Sequence, residues 1–106
     1  MPMYLWTASY AADGAKGLLK DGGSKRRDTV RQMIEKAGGK LHSFHFALGT
    51  DDVVGIAEFP DTATAVAMSL VVNASGAVSL RSTLLVSPEE LDAAAKKAIA
   101  YTPPGA

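Results

Sequence analysis

The sequence predicts an α+β fold in the order β-α-β-β-α-β-α, and three observations carry that expectation. Short runs rich in strand formers lie at residues 3–10, 40–48, 52–59 and 77–86. Between them, apolar residues recur at helical spacing, at Val30, Met33, Ile34 and Ala37 and again from Ala63 to Leu70. After the fourth run, Ser87-Pro88-Glu89-Glu90 is a helix start: serine caps, proline takes the first helical position and Glu90 closes the capping box.

In chain order, Met3–Tyr10 is the first strand. Residues 11–23 contain four glycines and read as a loop with at most one helical turn around Leu18 and Leu19. Ser24 is the expected N-cap of a helix running to about Ala37, which Gly38-Gly39 ends by supplying a left-handed residue. A hairpin follows, residues 40–48 against 52–59. Gly49 is expected at the first central position of a two-residue type II′ turn between Leu48 and Asp51, so that paired positions sum to 99. Pro60-Asp61 opens the next helix, through Ala63, Val66, Ala67 and Leu70 to about Asn73–Gly76. In the fourth strand Val78, Leu80, Leu84 and Val86 form the apolar set. Leu91, Ala94, Ala95, Ala98 and Ile99 make the apolar side of the last helix, and residues 102–106 are a frayed tail. The first six elements have the order of the ferredoxin-like sandwich, two helices on one face of a four-stranded antiparallel sheet.

Composition bounds the function classes. A chain of 106 residues fits a single domain, 1–106, and 47% hydrophobic content suffices for one core. Formal net charge is zero, with 11 basic and 11 acidic residues, which argues against a nucleic-acid or membrane-surface binder. No cysteine is present, so neither a disulfide framework nor thiolate chemistry is available. The N-terminus has no signal-peptide pattern, and no stretch approaches the ~20 apolar residues of a membrane span. A cytoplasmic protein is the expectation.

Polar side chains concentrate in Leu41–Pro60, which holds both histidines. Strand alternation puts His42, Phe44, Phe46 and Leu48 on the face of Asp51, Val53, Gly55, Ala57 and Phe59, the expected core face. The opposite face collects Leu41, Ser43, His45, Ala47, Asp52, Val54, Ile56 and Glu58. His42 and His45 then point to opposite sides, so the His-x-x-His spacing is no metal motif and no metal site is expected. His45 and Asp52 are diagonal neighbours at about 7–8 Å, a general base and its orienting carboxylate. The plainer reading is a solvated or interface hydrogen bond, with Asp51 and Asp52 satisfying turn donors. Arg81 joins this open face from the fourth strand, and Trp6 does so if the first strand turns that way. Val54, Ile56 and Leu85 among these charges make a surface that a monomer rarely leaves wet. Two weaker features are read as ordinary: Pro2 as a common second residue, and Lys25, Arg26, Arg27 and Arg31 as the solvated face of a helix.

The stretch Gly38–Leu70 resembles the GYD family of small bacterial and archaeal domains. Gly38-Gly39-Lys40-Leu41 looks like the family's approach to its second strand. Leu48-Gly49 and Asp52-Val53-Val54 look like its hairpin, Glu58-Phe59-Pro60-Asp61 like its strand exit, and Gly76–Leu91 like its last strand and following helix. Asp51 stands where the signature tyrosine is expected. The resemblance implies a ferredoxin-like domain that pairs into a dimeric α/β-barrel arrangement; it implies no reaction.

The leading expectation is a small homo-oligomeric domain that takes a small-molecule ligand at its open sheet face, with Trp6 and Glu58 as ligand-binding residues. The alternative is a cofactor-independent monooxygenase- or isomerase-like enzyme with His45 as base, Asp52 orienting it and Arg81 holding an anionic oxygen. Neither reading needs a cofactor, and the partners are a second copy and a small molecule, with no nucleic acid or membrane.

Overall fold

A computed structural model of the chain describes all 106 residues. The elements are β1 (Met3–Tyr10), α1 (Ala12–Asp21), α2 (Gly23–Lys36), β2 (Lys40–Phe46), β3 (Val53–Glu58), α3 (Thr62–Ala74), β4 (Val78–Leu85) and α4 (Pro88–Ala95). The strands form one antiparallel sheet in the order β2-β3-β1-β4. This is the α+β arrangement read from the pattern, consistent with a ferredoxin-like sandwich. No helix is long and apolar enough to cross a membrane.

The core lies between the sheet and α2 and α3. From β1, Tyr4, Trp6 and Ala8 are buried there, while Met3, Leu5 and Thr7 face the other way. The Trp6 ring lies 5.7 Å from that of Phe59, and Tyr4 meets Phe59 edge-on at 6.0 Å. Val30 and Ile34 close the layer from α2, as their spacing predicts. Gly38, at φ +85°, ends that helix in the expected left-handed conformation.

Four local expectations are corrected. The glycine-rich stretch is a helix, α1, rather than a loop. Its alanine, leucine and lysine positions favour helix, and Gly14 is there for close approach: a Cβ on it would lie 2.3 Å from the carbonyl oxygen of Ala77. Gly22, at φ +86°, separates α1 from α2 and is the N-cap of α2, so Ser24 sits inside the helix instead of capping it. Gly49 has no positive φ, so the β2–β3 connection is not a type II′ turn, and the strands end at Phe46 and Val53. Finally, α3 buries Ala65 and turns Met68 and Val72 inward, whereas Ala63, Val66, Ala67 and Leu70 face out. Asp61 caps α3 by accepting the Thr64 amide at 2.7 Å. Asn73 pins its other end, accepting the Leu80 amide at 2.7 Å and donating to the Leu80 carbonyl at 3.1 Å.

The hairpin register sums to 99 from Ser43↔Ile56 to Phe46↔Val53, as expected. Between Leu41 and Ser43 it shifts by one, and His42 is the extra residue of a β-bulge. Leu41 thereby joins the core face opposite Ala57, and His42 leaves it.

The capping box of α4 forms as predicted: the Glu90 amide donates to Ser87 Oγ at 3.0 Å and the Ser87 amide to Glu90 Oε1 at 3.3 Å. The helix nevertheless packs on nothing; every residue from Pro88 onward is exposed. The radius of gyration is 16.8 Å, against about 13 Å for a compact chain of this length. The long axis of 55 Å records that projecting arm.

Candidate functional site

The open sheet face is organised in rows by strand pairing. One row runs His45–Val54–Thr7–Arg81, the next Ser43–Ile56–Leu5–Thr83, and the next Glu58–Met3–Leu85. An apolar band of Met3, Leu5, Val54, Ile56 and Leu85 therefore lies between polar positions at the rims.

The polar residues form pairs other than the expected one. The Asp52 carboxylate accepts the Tyr10 amide at 2.9 Å, and the Asp52 amide donates to the Ala8 carbonyl at 2.8 Å. That carboxylate is committed to closing the end of β1, and no hydrogen bond joins it to His45. Arg81 Nη2 instead donates to both carboxylate oxygens of Asp51, at 2.8 and 2.9 Å, tying the hairpin loop to the edge strand β4. The bulge sends His42 to the open face, where its Nε2 lies 2.7 Å from Glu58 Oε1. The expectation of His42 on the core face is thus corrected, and with it the argument that the two histidines face opposite ways. His45 and Arg81 share a row but stand on opposite edge strands, about 14 Å apart at the spacing of strands. Trp6, 7% exposed, belongs to the core and not to the open face.

The larger concavity is on the helix side. A cleft of about 480 Å³ runs between α1, the first half of α2 and the end of α3. Asp13, Asp21, Lys25 and Arg26 form its polar rim, and Tyr10 and Met33 lie deeper. Lys25 is held only weakly, 3.5 Å from Asp21. Below this cleft lies an apolar chamber of about 30 Å³, sharing Tyr10, Arg26, Met33, Val72 and Val78 with it and ending against Trp6 and Phe44.

Trp6 gives this chamber its chemistry. The indole Nε1 is a donor only, it is buried, and no acceptor lies within its reach. Leaving such a donor unpaired costs about 1–3 kcal/mol. The chamber has room for a water-sized group, and since Nε1 is closed to a water-sized probe, an acceptor reaches it only with a shift of the indole or its neighbours. The arrangement therefore suits a molecule with an oxygen for Trp6, an apolar body along Met33 and Val72, and a negative group near Lys25 and Arg26. The cleft is not legible in the sequence because four glycines in residues 11–23 mask the helical character of α1 and a basic helix start has the composition of a solvated face. The signal available was Trp6 itself, the only tryptophan of the chain, placed among strand residues of both parities that are equally apolar.

Residues 4–95 match the family model of the GYD domain. No curated protein and no solved structure matches the chain.

Proposed function

We propose that this chain, which belongs to the GYD domain family, is a small-ligand-binding domain that pairs with a second copy through its open sheet face. The observation that carries the ligand half is the cleft whose rim holds Lys25 and Arg26, with the Trp6 ring, its Nε1 buried and unpartnered, lining the apolar chamber that adjoins it. The ligand class is a small amphiphile: an apolar body, one oxygen acceptor and one anionic group. Binding sites of this kind are mostly apolar and concave, with a few convergent polar groups, and this cleft has that make-up.

The pairing half rests on the apolar band of the open face. Leu5, Val54, Ile56 and Leu85 would be covered by the same band of a second sheet, which gives the dimeric α/β-barrel arrangement that the family resemblance implies. Self-association gives that face to a partner and leaves the helix-side cleft for the ligand.

The enzyme alternative draws no comparable support. It needs His45 oriented by Asp52, and Asp52 already holds the Tyr10 amide.

The test uses Trp6 as its own reporter, since the chain has one tryptophan. Anilinonaphthalene sulfonate, an aromatic body with an anionic head, is titrated into the full chain while Trp6 emission is followed. Saturable quenching that weakens when Arg26→Glu is introduced is the expected result. Quenching that is unchanged in Arg26→Glu, or absent, would remove the cleft as the site.

A further inference from the structure

Two helical surfaces of this chain are apolar and have nothing packed on them. The first is the outer side of α3, where Val66, Leu70 and Val71 are 52%, 65% and 69% exposed. No charged side chain occurs from Thr62 to Leu80, and a helix that is apolar all round is a buried helix. The second is the apolar side of α4, centred on Leu91 at 62% exposed, with Ala94 and Ala95 beside it. An isolated helix as short as Pro88–Ala95 is marginal in water, because helices below about 12–15 residues need tertiary packing. Small residues on both surfaces, Ala63 and Ala67 on α3 and Ala94 and Ala95 on α4, allow close approach of the two axes.

Charge gives the pair a direction. Asp61 stands at the N-terminus of α3, and Lys25 and Arg26 lie across the cleft from Val71 and Ser75 near its C-terminus. The first turn of α4 carries Glu89 and Glu90, with Asp92 close behind, and Lys96 and Lys97 follow its last turn. Laid antiparallel, α4 sets its lysines beside Asp61 and its acidic turn toward Lys25 and Arg26. The spans agree: Asp61 to Val71 along α3 is about 15 Å and Glu89 to Lys97 along α4 about 12 Å at 1.5 Å per residue.

At the elbow between β4 and α4 the helix leads away from the chain's own α3, and every residue from Pro88 onward is exposed. Ser87 is extended, at φ −76° and ψ 160°, Pro88 restricts it to that region, and the capping box sets the helix direction. The chain therefore runs on from β4 instead of folding back over α3. We propose that α4 of one copy lies antiparallel across α3 of a second copy, and reciprocally, so that the C-terminal arms clasp the assembly. Such a contact is self-complementary, as a two-fold pair requires. It is a separate surface from the sheet face proposed above, but its acidic turn meets the same Lys25 and Arg26 that rim the cleft, so the clasp and an anionic ligand compete for them.

The experiment uses the absence of cysteine from the chain. Leu70→Cys and Leu91→Cys, both at exposed positions, are made singly, co-expressed as full chains and oxidised. The expected result is a cross-linked band at twice the 11.0 kDa chain mass, stronger in the co-expressed pair than in either variant alone. No such band while the native assembly persists would overturn the clasp and leave pairing through the sheet intact. Cross-linking of Leu91→Cys with itself, or a Leu70→Cys/Leu91→Cys chain that closes on itself and stays at single-chain mass, would also overturn it. Ile56→Glu, which attacks only the sheet face, separates the two interfaces in the same assay.

Discussion

The Nε2 of His42 lies 2.7 Å from Oε1 of Glu58, and this contact exists because His42 is the extra residue of a bulge. In an unbroken ladder the two side chains would be on opposite faces of the sheet. The bulge lets Leu41 enter the core and hands His42 to the open face. Replacing His42 with Ala is expected to cost about 1 kcal/mol, the net worth of one partly screened hydrogen bond. A double-mutant cycle with Glu58→Ala, read by urea unfolding, isolates the pair; a coupling indistinguishable from zero would show that the bulge alone fixes the strand.

Gly55 is required by the same hairpin. A Cβ on it would lie 2.8 Å from the carbonyl oxygen of Ser43, immediately after the bulge. Backbone cannot yield as a flexible side chain can. Gly55→Ala is expected to destabilise by about 1–3 kcal/mol, the usual range for overpacking, and to lower the urea midpoint without changing the m-value. A midpoint equal to wild type would mean the bulge relaxes freely.

Much of the fold was legible because its signals are local. The strand formers of Met3–Tyr10, the Ser87–Glu90 capping box and the stripe of Val30 and Ile34 each act within a few residues. What was hidden depends on distant partners. The bulge at His42 answers to the opposing strand, and Gly14 within α1 answers to Ala77, 63 residues away in sequence and just before the start of β4. In α3 every turn is apolar, so periodicity could not say that Ala65 and Val72, and not Val66 and Leu70, face inward. On β1, Tyr4-Trp6-Ala8 and Met3-Leu5-Thr7 are both acceptable core faces, which left Trp6 unplaced. The polar residues of Leu41–Pro60 were found, but their partners were not. Asp52 goes to Tyr10, Asp51 to Arg81 and His42 to Glu58, pairings set by strand order and the bulge.

Asp61 should show in the pH dependence of stability. Hydrogen bonds from the Thr64 side chain, and then from its backbone amide, hold the Asp61 carboxyl below its ordinary value. A depressed folded-state pKa means stability that is complete above the unfolded carboxylate pKa of about 4 and is lost as pH falls through the lower folded value. Asparagine also caps but does not titrate. Thermal melts of wild type and Asp61→Asn should therefore differ by a constant amount from neutral pH down to about 5 and converge below about 4. A gap that widens on acidification would mean that the ionised carboxylate is not the stabilising form.

The open sheet face makes a prediction about assembly. Ile56 is half-buried amid Leu5, Val54 and Thr83, on the open side of the sheet. A glutamate at that position would bring an unpaired charge into any sheet-on-sheet contact, a change costing several kcal/mol. Sedimentation of Ile56→Glu is expected to show a weaker association by at least two orders of magnitude, with an unchanged circular dichroism spectrum. Association equal to wild type would place the interface elsewhere.

Trp6 separates ligand chemistry from packing. In Trp6→Phe the ring contact with Phe59 is largely kept and the unpaired donor is removed. Losing a buried but unsatisfied group need not destabilise, and removing its desolvation cost offsets part of the lost ring volume. A ligand that accepts a hydrogen bond from Nε1 loses about 1 kcal/mol, roughly a five-fold rise in Kd. Calorimetric titration with 4-oxo-4-phenylbutanoate, which carries a ketone oxygen apart from its carboxylate, alongside urea unfolding, reads both quantities. The expected outcome is weaker binding with little change in stability. A Kd that stays the same would show that the indole N–H takes no part in holding the ligand, and a large loss of stability would show that Trp6 is there to fill the core.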